Sequence, residues 1–76
     1  MIIGVPKEIK NNEYRVAIVP SAALELTRRG HTVLLETGAG TRAGFPDAEY
    51  ADAGAIITDA ETIYEKAEMV YKVKDY

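Results

Sequence analysis

The chain has no cysteine and no tryptophan, and its 76 residues include only one histidine and one phenylalanine. Without cysteine it has neither a disulfide nor a thiolate ligand for a structural zinc ion. Small autonomous domains commonly depend on such a staple, because a chain of this size buries only about 60% of its unfolded surface. We therefore expect the chain to be part of a larger protein.

Strong charge of one sign and long apolar runs are also missing. The formal net charge is −3, with acidic and basic residues interleaved, which argues against a nucleic-acid partner. No apolar run approaches the ~20 residues that span a bilayer. The residues after Met1 lack the basic and then apolar pattern of a signal peptide. We expect no nucleic-acid partner, no membrane partner and a cytoplasmic location.

Short apolar runs alternate with segments of helical pattern. Such alternation, with nearly continuous apolar strands, predicts an α/β fold with a Rossmann-like parallel sheet and flanking helices. The predicted strands are 2–5, 32–35, 55–57 and 69–73. The first predicted helix starts at Pro20-Ser21 and stops at Gly30, and the others are 48–53 and 59–66.

Several residues are expected to begin or end these helices. Ser21 and Asp47 are of the types that favour the N-cap position. Thr58 and Glu61 have the spacing of a capping box. Gly30 and Gly54 follow helical segments and are expected to end them, because glycine adopts the left-handed backbone conformation that closes a helix.

Two cations are candidates for a ligand site. Ligands of open parallel sheets bind beyond the carboxyl ends of the strands, and Arg15 and Lys74 follow the first and the last predicted strand. Arginine grips a carboxylate with two hydrogen bonds, whereas lysine offers a point charge that can polarise a carbonyl oxygen. Such a pair suits a small 2-oxo acid. Spacing alone leaves open that both are solvated surface cations.

The same residues lie in a longer pattern that resembles the N-terminal signature of alanine dehydrogenase. The resemblance covers essentially the whole chain, and it also extends to the superfamily relative, the soluble NAD-binding part of proton-translocating transhydrogenase. The Asn11-Asn12-Glu13 run and the second lysine of Lys72-Val73-Lys74 favour alanine dehydrogenase. The segments that carry the resemblance are GVPKEIKNNEYRVA at 4–17, LTRRGHTVL at 26–34, ETGAG at 36–40 and MVYKVK at 69–74.

This resemblance implies a reaction and the roles of two residues. The family reaction is the reversible, NAD-linked conversion of L-alanine to pyruvate and ammonium. Arg15 matches the arginine that binds the substrate carboxylate. Lys74 matches the lysine that contacts the carbonyl oxygen, and is therefore both a substrate-binding and a catalytic residue. Asp75-Tyr76 departs from the family, which usually has proline after the acidic residue.

The resemblance also implies what lies elsewhere. Residues 1–76 would be the N-terminal part of the substrate domain, and the NAD-binding domain would be absent from the chain, as would the family's catalytic histidine and aspartate. We therefore assign no cofactor-binding or metal-binding residue and expect the chain alone to be inactive. The complete enzyme would be a cytosolic homo-oligomer, commonly a hexamer.

Three other functions remain open from the sequence. The chain could be a piece of a transhydrogenase, which moves hydride between two nicotinamide cofactors. It could instead be a stand-alone module that binds a small carboxylate. It could also be a folding or assembly fragment whose sheet edge awaits a partner.

A few motifs resemble functional sites but have simpler interpretations. Residues 38–43 fit the G-x-G-x-x-A pattern, but Gly44-Phe45-Pro46 follows where a dinucleotide site would need a helix. A turn-forming loop is therefore expected. His31 is interpreted as a solvated helix cap, and Tyr50 and Tyr64 as core or interface residues.

Overall fold

The computed structural model describes residues 1–8 and 15–72. Within them, strands and helices alternate along the chain as the sequence predicts. The strands are β1 (Ile2–Val5), β2 (Thr32–Glu36), β3 (Ile56–Thr58) and β4 (Met69–Val70), and the helices are α1 (Pro20–Arg28), α2 (Asp47–Asp52) and α3 (Ala60–Lys66), with a 3₁₀ turn at Thr41–Ala43.

The four strands form one parallel sheet in the order β3-β2-β1-β4, which confirms the predicted α/β class. Val5 at the end of β1 lies opposite Leu35 of β2. The chain moves outward from β1 to β3 and then returns to place β4 on the other side of β1. The strand order thus reverses between β1 and β4, and this is where open α/β sheets form their ligand crevice.

Helices cover both faces of the sheet. The main core joins α1 and α2 to alternate residues of β1 and β2, including Val5, Val33 and Leu35. On the other face, α3 packs against β1 at Gly4. A Cβ atom on Gly4 would lie 2.5 Å from Cγ2 of Ile63 and 2.8 Å from Cβ of Ala67. The absence of a side chain at Gly4 therefore lets α3 approach the sheet this closely.

The three predicted N-caps are wrong in detail. The N-cap of α1 is Val19, with no side-chain cap, because Pro20 suits the first helical position, where no N–H is required. Ser21 therefore lies inside the helix. In α2 the N-cap is Pro46, and Asp47 is the first helical residue.

The capping box of the last helix is displaced by one residue. Thr58 ends β3, so it cannot cap the helix. Asp59 is the N-cap, and its Oδ1 accepts a hydrogen bond from the Thr62 main-chain N–H at 2.8 Å. Hydrogen bonds from Thr62 hold the pKa of Asp59 below its ordinary value.

The predicted helix ends at Gly30 and Gly54 are confirmed. Both glycines have positive φ, 89° and 95° respectively. At the end of α1, Gly30 N–H donates to the Thr27 carbonyl and His31 N–H donates to the Leu26 carbonyl. This pair of bonds is the Schellman motif. The same pattern follows α2.

Tyr50 of α2 lies at the centre of the core. Its side chain is fully buried, and its hydroxyl donates a 2.7 Å hydrogen bond to the Ile18 carbonyl. The ring of Phe45 packs edge-on against it, with 6.4 Å between the centroids. A Cβ on Gly40 would lie 2.6 Å from Cε2 of Tyr50. Tyr50 therefore occupies space that Gly40 leaves open and anchors the segment that follows Arg15.

The environment of Tyr50 opposes its ionisation. Burial, together with the smaller effects of the negative charges of Glu49 and Asp47, raises the pKa of Tyr50 from 10.0 to about 12. Between these two values the folded chain keeps a proton that the unfolded chain loses. The resulting stability is fully present below pH 10 and is lost as the pH rises towards 12.

Gly4→Ala is expected to lower the free energy of unfolding by about 1–3 kcal/mol, because the new methyl group overpacks the contact between α3 and β1. Chemical denaturation followed by circular dichroism measures the change. Ser21→Ala is the control, and its effect should stay within about 0.5 kcal/mol because the exposed hydroxyl caps nothing. Equal stability of Gly4→Ala and the unaltered chain would contradict the close approach of α3.

Tyr50→Phe is expected to cost about 1–3 kcal/mol at neutral pH, because it leaves the buried Ile18 carbonyl without its donor. The variant should also lack the alkaline loss of stability between pH 10 and about 12, a term of up to about 3 kcal/mol. Denaturation curves at several pH values test both effects. Tyr64→Phe is the matched control, because Tyr64 is 57% exposed. If both variants kept the full alkaline loss, Tyr50 would not be its source.

Candidate functional site

A small cleft lies at the carboxyl edge of the sheet, where the loops after β1 and β2 meet. Arg15, predicted as a site residue, lies at this edge and is exposed. The anchored segment 16–18 follows it directly, with Val16 and Ala17 packed against the core. The residues that line the cleft are Lys7, Glu8, Arg15, Gly38, Ala39 and Arg42.

Three of the side chains that line this cleft are cationic and one is a carboxylate. Lys7 and Arg42 were not selected from the sequence as site residues. Lys7 follows the end of β1 closely, and Arg42 lies in the Gly-rich loop after β2. Both residues follow a strand of the parallel sheet, and this position is the sequence signal that could have selected them as site residues. Together the cations make the cleft suitable for a small anion.

Two further carboxylates fix the walls of the cleft. Oε1 of Glu36 accepts a 2.8 Å hydrogen bond from the main-chain N–H of Lys7. The two carboxylate oxygens of Asp47 lie 3.0 and 3.3 Å from the main-chain nitrogen of Gly38, which donates to them. Asp47 thus acts across the loop instead of capping α2. Glu36 therefore holds the amide of Lys7 after β1, and Asp47 holds the amide of Gly38 after β2.

The cleft is narrow. Its volume of about 10 Å³ accommodates roughly one water molecule. A three-carbon acid therefore needs space that the exposed side chains of Lys7 and Arg42 now occupy. Long, flexible side chains at a surface can supply that space by changing rotamer, whereas the hydrogen-bonded loops keep their positions.

Lys74, the other predicted site residue, lies outside the described residues, as does the end of the predicted last strand. The structure shows how the chain approaches it. β4 pairs with β1 at Met69 and Val70, and Tyr71 N–H donates to the Gly4 carbonyl at 2.8 Å. Lys72 follows and is exposed. The convergence of Lys74 with Arg15 stays a prediction.

The Gly-rich segment at 38–43 forms a tight loop, as the sequence predicts. Its only helical part is the 3₁₀ turn of three residues, which ends at Gly44 with φ of 91°. Gly40 is packed against Tyr50 and so serves the core. These residues do not fit the pyrophosphate of a dinucleotide, which needs the N-terminus of a helix.

In the described part of the chain, the other residues that the sequence analysis singled out either have a structural role or have no role that their contacts define. Tyr50 is confirmed as a core residue, whereas Tyr64 is exposed and lies outside the core. His31 is half-buried, and its main-chain N–H closes α1.

Within residues 1–8 and 15–72, no cluster of three histidine or acidic side chains could hold a metal ion. No helix there has the length and apolar character to cross a membrane.

Known sequences match this chain over nearly its whole length. The family model described as "Alanine dehydrogenase/PNT, N-terminal domain" matches residues 4–76. An alanine dehydrogenase of Bacillus subtilis is 57% identical over 76 residues, and one of Mycolicibacterium smegmatis is 49% identical. In both comparisons 99% of this chain aligns with 20% of the relative. The chain thus spans about a fifth of the length of the curated relatives it matches.

Solved structures show the same fold. An L-alanine dehydrogenase superposes with a TM-score of 0.93 at 51% identity, covering 100% of this chain and 21% of the other. A transhydrogenase from Sinorhizobium meliloti superposes with a TM-score of 0.89 at 35% identity, covering 95% of this chain and 20% of the transhydrogenase chain. By sequence and by fold, the chain belongs to the alanine dehydrogenase/PNT N-terminal domain family.

Proposed function

We propose that this chain forms the substrate-binding N-terminal part of an alanine dehydrogenase. The reaction is L-alanine, NAD⁺ and water to pyruvate, ammonium, NADH and a proton, and it runs in both directions. The observation that carries the proposal is the cationic cleft around Arg15 at the carboxyl edge of the sheet. It occurs in a chain that is 57% identical to an alanine dehydrogenase.

Arg15 is proposed to bind the carboxylate shared by alanine and pyruvate. Its planar guanidinium can form two parallel hydrogen bonds to the carboxylate, which fix the orientation of the substrate as well as its position. Segment 16–18, anchored through Ile18, supports this arginine from the core side. Binding would thus hold the reacting carbon in place.

Lys74 is proposed to contact the carbonyl oxygen of pyruvate. Its positive charge would stabilise the negative charge that develops on that oxygen when ammonia attacks, which makes it a catalytic as well as a substrate-binding residue. The position of β4 beside β1 supports this role, because the residues after both strands leave the sheet at one edge.

The remaining parts of the proposed enzyme lie outside these residues. NAD is the proposed cofactor, and because segment 38–43 does not fit a dinucleotide, we assign its binding to a part of the protein beyond this chain. We also propose a homo-oligomer, commonly a hexamer, in the cytoplasm, with L-alanine, pyruvate and ammonium as the small-molecule partners.

A transhydrogenase is the second candidate, favoured by the structural similarity to the Sinorhizobium meliloti protein at 35% identity. The higher identity to alanine dehydrogenases argues for the first candidate. Assay of the full-length protein separates the two. Alanine-dependent reduction of NAD⁺ supports an alanine dehydrogenase, whereas hydride exchange between two nicotinamide cofactors without alanine supports a transhydrogenase.

In the full-length enzyme, Arg15→Lys is expected to raise the KM for pyruvate by about tenfold or more, because a charged hydrogen bond contributes roughly 1.5–3 kcal/mol and lysine cannot reproduce the bidentate pair. Steady-state kinetics of reductive amination measure this change. Arg28→Lys, in the exposed last turn of α1, is the control and should leave KM unaltered. An Arg15→Lys enzyme with unchanged KM and kcat would remove Arg15 from the substrate site.

Lys74→Met is expected to lower kcat by about a hundredfold or more, the usual effect of removing a group that stabilises charge in the transition state. Its matched control is Lys72→Met, which removes the same charge two positions earlier and should retain most activity. Stopped-flow measurement of pyruvate-dependent NADH oxidation compares the two. Normal turnover by Lys74→Met would exclude the lysine from the chemistry.

A further inference from the structure

We propose that Glu36 is a positioning residue for the Arg15 cleft: through its hydrogen bond to the Lys7 main-chain N–H, it sets the separation of the loops that follow β1 and β2. This inference rests on the proposed function, since it concerns how that site is held ready for a carboxylate. Glu36 is not among the residues that line the cleft, so it acts through the loop and not by contact with the ligand.

The strand register holds Glu36 itself in place. It is the last residue of β2 and is paired with Thr58 of β3. Its carbonyl also accepts a hydrogen bond from the Ala39 N–H at 2.9 Å. The side chain is half-buried. The carboxylate therefore projects from a main chain that is held by its pairing with β3 and by the turn to Ala39. It is suited to orient a less regular neighbour.

The neighbour that it orients is the first part of the loop after β1. Pro6 follows the strand and has no N–H to donate, so Lys7 carries the first amide available beyond β1. Glu36 accepts that amide hydrogen at 2.8 Å. Because the acceptor is charged, this bond is stronger than one between neutral groups. It ties the exit of β1 to the end of β2.

The tether acts on one wall of the cleft, and a second carboxylate acts on the other. Lys7, Glu8 and Arg15 belong to the wall after β1, whereas Gly38 and Arg42 belong to the wall after β2. Asp47 holds the second wall through the Gly38 N–H. Each wall thus has one main-chain amide fixed to a carboxylate, and the cations of both walls line the same cleft. Loss of Glu36 would free the Lys7 end of the first wall relative to the second, and the set of cations that Arg15 belongs to would lose its fixed arrangement.

The test compares two substitutions of Glu36 in the isotopically labelled 76-residue chain. Glu36→Ala removes the acceptor, whereas Glu36→Gln keeps an oxygen that can accept the Lys7 N–H but removes the charge. Asp59→Ala is the matched control. It removes a carboxylate that also accepts a main-chain N–H at 2.8 Å, at the start of α3 and away from the lining of the cleft. Pyruvate is titrated and followed by the amide and side-chain NMR signals of Lys7, Arg15 and Arg42.

We expect Glu36→Ala to weaken pyruvate binding by about three- to tenfold, the effect of one hydrogen bond, whereas Glu36→Gln and Asp59→Ala bind within about twofold of the unaltered chain. The Arg15 signals of the ligand-free chain should move in Glu36→Ala and stay in place in Asp59→Ala. Equal affinity in Glu36→Ala, or equal loss in Asp59→Ala, would overturn the positioning role.

The two proposals fail in different ways. If the unaltered chain does not respond to pyruvate, the preformed carboxylate site fails, and the ligand-free spectra still decide the role of Glu36. A shift of the Arg15 signals in Glu36→Ala, with none in Asp59→Ala, would then support positioning. Unchanged Arg15 signals in Glu36→Ala would overturn it.

Discussion

The hydrogen bond from the Tyr50 hydroxyl to the Ile18 carbonyl is the interaction on which the rest of this structure depends. It joins α2 to the segment that leads into α1, across 32 positions of sequence. An unpaired carbonyl at this buried position would lower the free energy of unfolding by an amount that is large relative to the total stability of a small domain. The bond forms only because Gly40 leaves room for the tyrosine ring. Gly40 and the Tyr50 hydroxyl therefore together determine the path of the chain after Arg15.

The same constraint connects packing to the proposed chemistry. The segment after Arg15 is held by the core, and the main-chain N–H of Lys7 is held by Glu36. Asp47 holds the facing loop. Buried or hydrogen-bonded groups thus fix the main chain, while exposed cations supply the charge. This separation lets a site select a carboxylate without a large change in the fold, because only long surface side chains need to move.

The sequence predicts the regular elements better than the contacts between them. Within residues 1–8 and 15–72, apolar runs locate all four strands, and Gly30 and Gly54 end their helices, because these signals are local. The caps at Ser21, Asp47 and Thr58 are wrong for different reasons. The side chain of Asp47 binds the distant amide of Gly38. Pro20 takes the first helical position ahead of Ser21, and Thr58 is the last residue of β3.

Long-range contacts also explain what was missed in the candidate site. Arg15 follows a predicted strand and carries a suitable charge, so its position suffices to select it. Glu36 acts on an amide 29 positions away, and no local pattern indicates that pairing. Tyr50 is recognisable as a core residue from its helix, but its hydrogen-bond partner is not. The role of such residues appears only when the register of the sheet is known.

The most direct test of the central claim compares pyruvate with methyl pyruvate, which has the same carbonyl but no carboxylate charge. Amide NMR spectra of the 76-residue chain are recorded during each titration. We expect pyruvate alone to shift the signals of Lys7, Arg15, Gly38 and Arg42, because the cleft selects the carboxylate. Equal responses to both compounds, or shifts that avoid these residues, would contradict a carboxylate site built around Arg15.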